Sequence, residues 1–175
     1  VIKKNGTVIT NNHVIANAED IIVRINNKEY KAKVIGGGHI YGYRLKFNNV
    51  ADIVPVKGFD QYAPCVIWEI TEDCEERLDR FEGFPELYRK IDVVGYEGCQ
   101  HQDQFKGFAY KMNYEGFHTP SPLYVRGIRN GLKGVWDKFY HNDIDNIIDH
   151  AILESFRESE KPMVHHQRMG GKQWA

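Results

Sequence analysis

The sequence lacks a charge excess, a long apolar run and a cysteine framework. Its 23 Lys and Arg residues nearly balance its 24 Asp and Glu residues, so the net charge is −1. We therefore expect no nucleic-acid partner, because such proteins usually carry a basic excess. No run of 18 apolar residues occurs in the sequence, so no membrane span is expected. Three cysteines without CxxC spacing favour free thiols and a cytoplasmic location.

Signals for a metal site are also sparse. Cys99 lies two residues before His101, and His165 is followed by His166. Each pair lacks the further ligands that complete a typical metal centre. We interpret the first pair as part of a polar loop and expect neither a metal nor an organic cofactor.

The overall composition is that of a globular protein. Of the 175 residues, 42% are hydrophobic and 13% are aromatic, which favours a folded domain over a disordered chain. We predict one domain over residues 1–160 and a flexible tail over 161–175, where periodicity is lost. The sequence starts at Val1 without a signal-peptide pattern, so we expect a fragment, a processed form or an engineered chain.

Runs of β-branched and alternating residues predict strands at several places. They cover residues 7–10, 21–25, 29–35, 91–94 and 108–113. Three consecutive glycines at 36–38 follow the third run and are interpreted as leading to the next strand. The polar stretch 95–104 is predicted to be a long hairpin connection.

The stretch from residue 71 to 83 predicts a helix with a clear start and end. Thr71 is a good N-cap and is followed by acidic residues in the first turn. Leu78 and Phe81 are three apart and are predicted to share one face. Gly83 is typical of the position just past a helix end.

Glu82 is thus predicted to end this helix. The helix dipole disfavours a carboxylate at that end and should raise its pKa, which makes Glu82 a candidate general acid/base. The alternative is an ordinary solvated glutamate.

Two further helices follow from capping and periodicity. Ser121 and Pro122 suit a helix start, and Tyr124, Ile128 and Leu132 then fit one face. Tyr124 is therefore interpreted as a core residue. A second apolar face is made by Ile144, Ile147, Ile148, Ala151, Ile152 and Ser155.

Several motifs in order carry a family resemblance. The run PCVIWEIT at 64–71 is followed by LD at 78–79, FEGFP at 81–85 and LYRK at 87–90. Upstream is GYRLKF at 42–47; downstream are AYKMN at 109–113 and PSPLY at 120–124. Over about residues 32–157 the sequence resembles the gamma-glutamylcyclotransferase (AIG2-like) family.

The resemblance implies an α+β fold, namely a mixed β-barrel surrounded by helices. Family members cyclise a gamma-glutamyl group to 5-oxoproline and release the attached amine, without a cofactor. The family's acid/base glutamate falls on Glu82, and Tyr110 and Tyr88 would bind the substrate. For Tyr110, the alternative of a core tyrosine with a bonded hydroxyl stays open.

The first residues resemble a different family. The run KNGTVITNNHVI at 4–15 and the run YKAKVIG at 30–36 are similar to the catalytic-histidine region of Deg-type, trypsin-like serine proteases. On that match His13 would be the general base of a triad, which needs a serine nucleophile. No GNSGG loop occurs in the sequence, and Ser121, Ser155 and Ser159 lie in other contexts. Protease activity is not expected, and His13 is interpreted as an ordinary loop histidine.

The two resemblances meet near Gly36, which is typical of a chimera. The protease-like segment 1–36 stands where the cyclotransferase family has a strand ending in a YGSN loop, whose amides hold the substrate. We therefore predict an impaired cyclotransferase that acts on a small gamma-glutamyl substrate. The alternative is an inactive chimeric fold or binding protein. The sequence identifies neither the released amine nor the oligomeric state.

Overall fold

The structure is a computed structural model. It describes the backbone of residues 8–9, 20–25 and 28–31, and residues 32–48, 50–58, 60–98, 103–114 and 119–160 in full. Within these ranges eight strands, three α-helices and one 3₁₀ turn (Lys138–Tyr140) follow one another. The strands are β1 (Val8–Ile9), β2 (Asp20–Ile25), β3 (Lys28–Tyr41), β4 (Tyr43–Asn48), β5 (Val50–Pro55), β6 (Tyr62–Glu69), β7 (Tyr88–Glu97) and β8 (Asp103–Met112). The helices are α1 (Glu72–Glu82), α2 (Pro122–Val135) and α3 (His141–Ser159).

Strand β3 is the centre of the larger sheet. It pairs in antiparallel fashion with β2, β6 and β7, and β7 continues the sheet through β8 to β1. Strand β1 runs parallel to β8, whereas β4 and β5 form a separate antiparallel pair. The sheet is therefore mixed, and with its three helices it confirms the predicted α+β class.

Two predicted connections have other bounds in the structure, although β7 and β8 do form the predicted hairpin. Residues 36–38 do not lead out of a strand but lie inside β3, opposite residues 65–67 of β6. Residues 95–97 and 103–104 belong to β7 and β8, where Gly95 pairs with Phe105. Glycine disfavours strands through its backbone entropy, and tertiary pairing has overcome that preference at both places.

Those glycines leave room for close packing around β3. A Cβ atom at Gly37 would lie 2.6 Å from Nε1 of Trp136. A Cβ atom at Gly95 would lie 2.3 Å from the backbone oxygen of His39. Because such contacts are far shorter than van der Waals distances, a side chain at either position would force the neighbouring groups apart.

Strand β6 contributes to two hydrophobic clusters, one on each face. Val66 and Trp68 belong to the cluster beneath the helices, whereas Cys65 and Ile67 belong to the second cluster with Phe105. Successive side chains of a strand point to opposite faces, so the nearly continuous burial of β6 follows from its position between two cores.

The faces predicted for the last two helices are confirmed. Ile128 and Leu132 of α2 are buried, and Tyr124 packs against the same cluster. The hydroxyl of Tyr124 accepts a hydrogen bond from the amide of Ala51 at 2.9 Å. In α3 the buried residues are Ile144, Ile148, Ala151 and Ser155.

Asp52 connects the small sheet to the large one. Its buried carboxylate accepts hydrogen bonds from Lys111 Nζ at 3.1 Å and from the amide of Met112 at 3.3 Å, both on β8. It also accepts from Asn48 Nδ2 at 3.1 Å and from the amide of Ile53 at 2.9 Å. With four donors for two oxygens, Asp52 acts as a polar clamp between β5 and β8.

Several sequence predictions fall on residues outside the described ranges. These are the loop with His13, the Cys99 and His101 pair, and the tail 161–175. In the described part of the chain, Cys65 and Cys74 are buried free thiols. None of the described helices is long and apolar enough to cross a membrane.

We predict that Gly95→Ala destabilises the protein by about 1–3 kcal/mol or more, because overpacking a backbone contact strains the sheet. Gly134→Ala is the matched control, since a Cβ atom there meets nothing within 4 Å. Gly134 lies in α2, where alanine should stabilise by about 0.5–1 kcal/mol. Chemical denaturation of both variants measures the difference, and a Gly95→Ala variant as stable as the parent would contradict the packing described above.

We also predict that Asp52→Ala lowers the free energy of unfolding by about 3–5 kcal/mol, because it leaves the ammonium of Lys111 without its carboxylate in a largely buried site. Asp145→Ala is the control. Its partners Arg129 and Lys133 are about a quarter exposed, so its loss should cost about 1 kcal/mol or less. If Asp52→Ala and Asp145→Ala lost the same free energy of unfolding in urea denaturation, the clamp role of Asp52 would be refuted.

Candidate functional site

Helix α1 positions the candidate side chain of Glu82, and both ends of the helix form as predicted. The Thr71 hydroxyl accepts a hydrogen bond from the amide of Cys74 at 3.3 Å. At the other end Gly83 is left-handed, with φ 68° and ψ 36°. The amide of Phe84 bonds to the carbonyl of Asp79 at 2.8 Å, which completes a Schellman turn. Glu82 is therefore the last helical residue.

The buried face of α1 includes Glu82. Cys74 and Glu82 are buried and Leu78 packs against the core, whereas Phe81 is 68% exposed. Leu78 and Phe81, which were predicted to lie on one face, therefore differ in burial. Residues four apart, here 74, 78 and 82, align better along this face than residues three apart. Glu82 thus lies on the inner side of the helix, with 6% exposure.

The three residues predicted for the site line one cavity. It has a volume of about 90 Å³ and lies where the two hydrophobic clusters meet. Glu82 comes from the end of α1, Tyr88 from the start of β7 and Tyr110 from β8. The remaining lining residues are Ile40, Leu45, Ala51, Asp52, Ile53, Pro64, Cys65, Val66, Ala109, Ile128 and Leu132.

Tyr110 lies in the cavity wall and has a bonded hydroxyl. It lines the cavity, and its hydroxyl donates a hydrogen bond of 2.5 Å to Oδ1 of Asp79. Burial and this hydrogen bond raise the pKa of Tyr110, and the charges of Asp79, Glu75 and Glu82 add to the effect. Tyr110 therefore stays protonated across the physiological range.

Cys65 is the only thiol among the cavity residues that the structure describes, and it is not poised as a nucleophile. Burial raises its pKa to about 12. Its Sγ atom donates a hydrogen bond to the carbonyl of Gly38 at 3.1 Å. Since the thiolate is the reactive form, Cys65 packs in the wall as a small apolar group.

The cavity is acidic as well as apolar. Asp52 and Glu82 are both in its wall, and none of the described lining residues is a lysine or arginine. Asp52 has its oxygens occupied by the four donors of the clamp. Asp52 is therefore committed to the clamp between β5 and β8, and Glu82 is the second carboxylate of the cavity wall.

Three charged residues at or near the cavity, Asp52, Asp79 and Lys90, were not predicted as site residues from the sequence. Asp79 holds the Tyr110 hydroxyl, and Lys90 contacts both Asp79 and Glu75. The three-residue spacing between Asp79 and Glu82 could have indicated a shared helix side. For Asp52, the signal was a lone carboxylate within a β-branched run.

The N-terminal part of the chain reaches the same region. Val8 pairs with Phe108 and Ile9 with Ala109. Ala109 lines the cavity and precedes Tyr110. A short strand from the protease-like segment therefore lies directly beside the Tyr110 strand.

The described residues contain no group of three or more His, Cys, Asp or Glu side chains arranged to hold a metal ion. The two carboxylates of the cavity wall, Asp52 and Glu82, come from separate elements.

Comparison with known sequences gives a short match to a serine protease. No family model matches the chain. A stretch of 37 residues, 21% of the chain, is 51% identical to a probable periplasmic serine endoprotease DegP-like from Pseudomonas fulva. The match spans only 8% of that protease. It is one residue longer than the predicted protease-like segment of 36 residues.

Solved structures resemble the fold over a larger part of the chain. A gamma-glutamyl cyclotransferase is similar over 70% of this chain and 86% of its own, with 19% identity and a TM-score of 0.58. An uncharacterized human protein is similar over 66% and 75%, with 22% identity and a TM-score of 0.57. YkqA from Bacillus subtilis is similar over 66% and 44%, with 17% identity and a TM-score of 0.56. The chain therefore has a gamma-glutamyl cyclotransferase-like fold.

Proposed function

We propose that this protein is a gamma-glutamylcyclotransferase-type enzyme that converts a small gamma-glutamyl amine or peptide to 5-oxoproline and a free amine. The observation that carries the proposal is the burial of Glu82 in one cavity with Tyr88 and Tyr110. The similarity of the fold to a gamma-glutamyl cyclotransferase supports it.

The reaction needs one proton carrier. Glu82 takes a proton from the substrate's alpha-ammonium, and the resulting amine attacks the gamma-carbonyl carbon. The new C–N bond closes a five-membered lactam, and the bond to the departing amine breaks. Glu82 gives this proton to the departing nitrogen, then takes the second proton lost by the ring nitrogen and passes it to the released amine, which leaves as an ammonium ion. Glu82 therefore ends ionised, as it started.

The walls of the cavity suit the cationic end of such a substrate. Asp52 is already paired with Lys111, but Glu82 adds a carboxylate to the wall and none of the described lining residues is a lysine or arginine, which favours an ammonium group over an anion. The apolar remainder excludes water and holds the amine close to the carbonyl, which supplies proximity and orientation.

The described residues contain no counterpart of the family's anion-binding loop. The tetrahedral intermediate needs hydrogen-bond donors directed at its oxyanion. In the family this chain resembles, a YGSN loop after the first strand supplies them. The protease-like segment stands at that place, and its strand β1 lies beside β8. We propose that this chimeric arrangement lowers the activity.

We predict that Glu82→Gln lowers 5-oxoproline formation by at least about 100-fold, because glutamine keeps the size of glutamate but cannot carry the proton. Glu86→Gln, at an exposed position four residues later, should leave activity unchanged. The assay uses gamma-glutamyl amides with thermal unfolding as a folding check. Activity of Glu82→Gln within about threefold of the parent would remove Glu82 from its proposed role.

We further predict that the chain is at least about 10³-fold slower than a cyclotransferase with its YGSN loop, the scale of one lost oxyanion donor. Replacing residues 1–31 by a strand ending in Tyr-Gly-Ser-Asn should restore the rate. The same replacement combined with Glu82→Gln is the control and should stay inactive. Near-normal turnover by the unchanged chain would contradict the impaired-loop hypothesis. No turnover even with the new loop would favour an inactive chimeric fold.

A further inference from the structure

Asp79 is at the centre of a charged group beside the cavity. Its Oδ1 atom accepts the Tyr110 hydroxyl at 2.5 Å, and its Oδ2 atom accepts Lys90 Nζ at 2.8 Å. Lys90 Nζ also donates to Glu75 Oε1 at 2.6 Å. Asp79 and Glu75 lie on α1, Lys90 on β7 and Tyr110 on β8. The group therefore ties three elements together next to Glu82.

Lys90 is held from the aromatic side as well. Its Nζ atom lies 5.0 Å from the ring centre of Phe84, 4.8 Å from that of Phe108 and 5.9 Å from that of Tyr110. Burial alone would lower the pKa of Lys90, but its hydrogen bonds to Asp79 and Glu75 raise it. The ammonium keeps its charge and so holds the Asp79 carboxylate in place.

The direction of the Tyr110 hydrogen bond has a chemical consequence. An ionised carboxylate accepts hydrogen bonds and donates none, so the phenolic proton is directed to Asp79. A phenol oxygen has further acceptor capacity once its proton is committed. In this arrangement Tyr110 can offer the cavity an acceptor for an N–H group.

We propose that Asp79 is a positioning residue: by accepting the hydrogen bond of the Tyr110 hydroxyl it makes the Tyr110 oxygen an acceptor for the substrate's reacting amine. The proposal rests on the proposed cyclotransferase function. One N–H of the alpha-ammonium contacts Glu82 and a second contacts Tyr110. When Glu82 removes the first proton, the contact to Tyr110 keeps the nitrogen oriented toward the carbonyl carbon. Tyr110 keeps its own proton throughout.

A double-mutant cycle tests this role through activity. Asp79→Asn and Tyr110→Phe should each lower kcat/KM by about tenfold, the size of one net hydrogen bond. The double variant should be no slower than Tyr110→Phe alone, because Asp79 acts through the phenol. Asp145→Asn, which removes a carboxylate from the ion pairs between α2 and α3, is the control and should leave kcat/KM unchanged. Additive losses in the double variant would overturn the proposal.

A second measurement does not depend on turnover. In ¹³C-tyrosine NMR, the Tyr110 signal, assigned by its absence in Tyr110→Phe, should titrate above the ordinary tyrosine range near pH 10. Asp79→Asn should move that titration toward the ordinary value, and Asp145→Asn should not. An unchanged Tyr110 titration in Asp79→Asn would overturn the positioning role.

The two measurements separate the failure of this inference from that of the proposed function. If neither the parent nor the loop-replaced chain forms 5-oxoproline, the proposed function is wrong and the amine contact with it, whereas the titration still decides whether Asp79 holds Tyr110. If Asp79→Asn does not fold, Tyr110→Phe still tests the amine contact, because it leaves the Lys90 ion pairs in place. Undiminished activity of Tyr110→Phe would then refute it.

Discussion

The packing of a glycine-containing central strand is the constraint on which the structure depends. Strand β3 joins β2, β6 and β7, and it comes close to β7 where Gly95 passes the backbone of His39. On its helix side, Trp136 lies against Gly37 and donates a hydrogen bond to the carbonyl of Cys65 at 3.2 Å. The absence of side chains at these positions thus allows the sheet and the end of α2 to pack at backbone distance.

Two ion pairs connect elements that contribute residues to the cavity. Asp52 and Lys111 connect β5 with β8, while Asp79 and Lys90 connect α1 with β7. Each carboxylate also accepts a hydrogen bond from β8, through Met112 or through Tyr110. Strand β8 is therefore held by both carboxylates, and these contacts keep Tyr110 in a defined position relative to Glu82.

What the sequence predicted well depends on contacts that are near one another along the chain. The Thr71 cap, the Gly83 turn and the inner faces of α2 and α3 follow from capping chemistry and periodicity. The meeting of Glu82, Tyr88 and Tyr110 in one cavity was expected only from the motif order of the resembling family. Their grouping requires α1, β7 and β8 to come together, which local patterns alone do not show.

The errors concern contacts between distant residues. Asp52 and Lys111 are 59 positions apart, and nothing in either local sequence indicates the other. The glycines at 36–38 have low strand propensity, and only the partners supplied by β6, β7 and Trp136 explain their extended form. Phe81 is apolar but exposed, whereas the helix turns the carboxylate of Glu82 inward.

The double-sided burial of β6 makes the two hydrophobic clusters thermodynamically inseparable. Val66 and Trp68 cannot leave one cluster unless Cys65 and Ile67 leave the other, because all four belong to the same strand. We therefore expect both clusters to melt in a single cooperative transition, without a half-folded state in which one of them persists. The cavity between them consequently has the stability of the whole described domain, and it is not a locally weak region that opens independently.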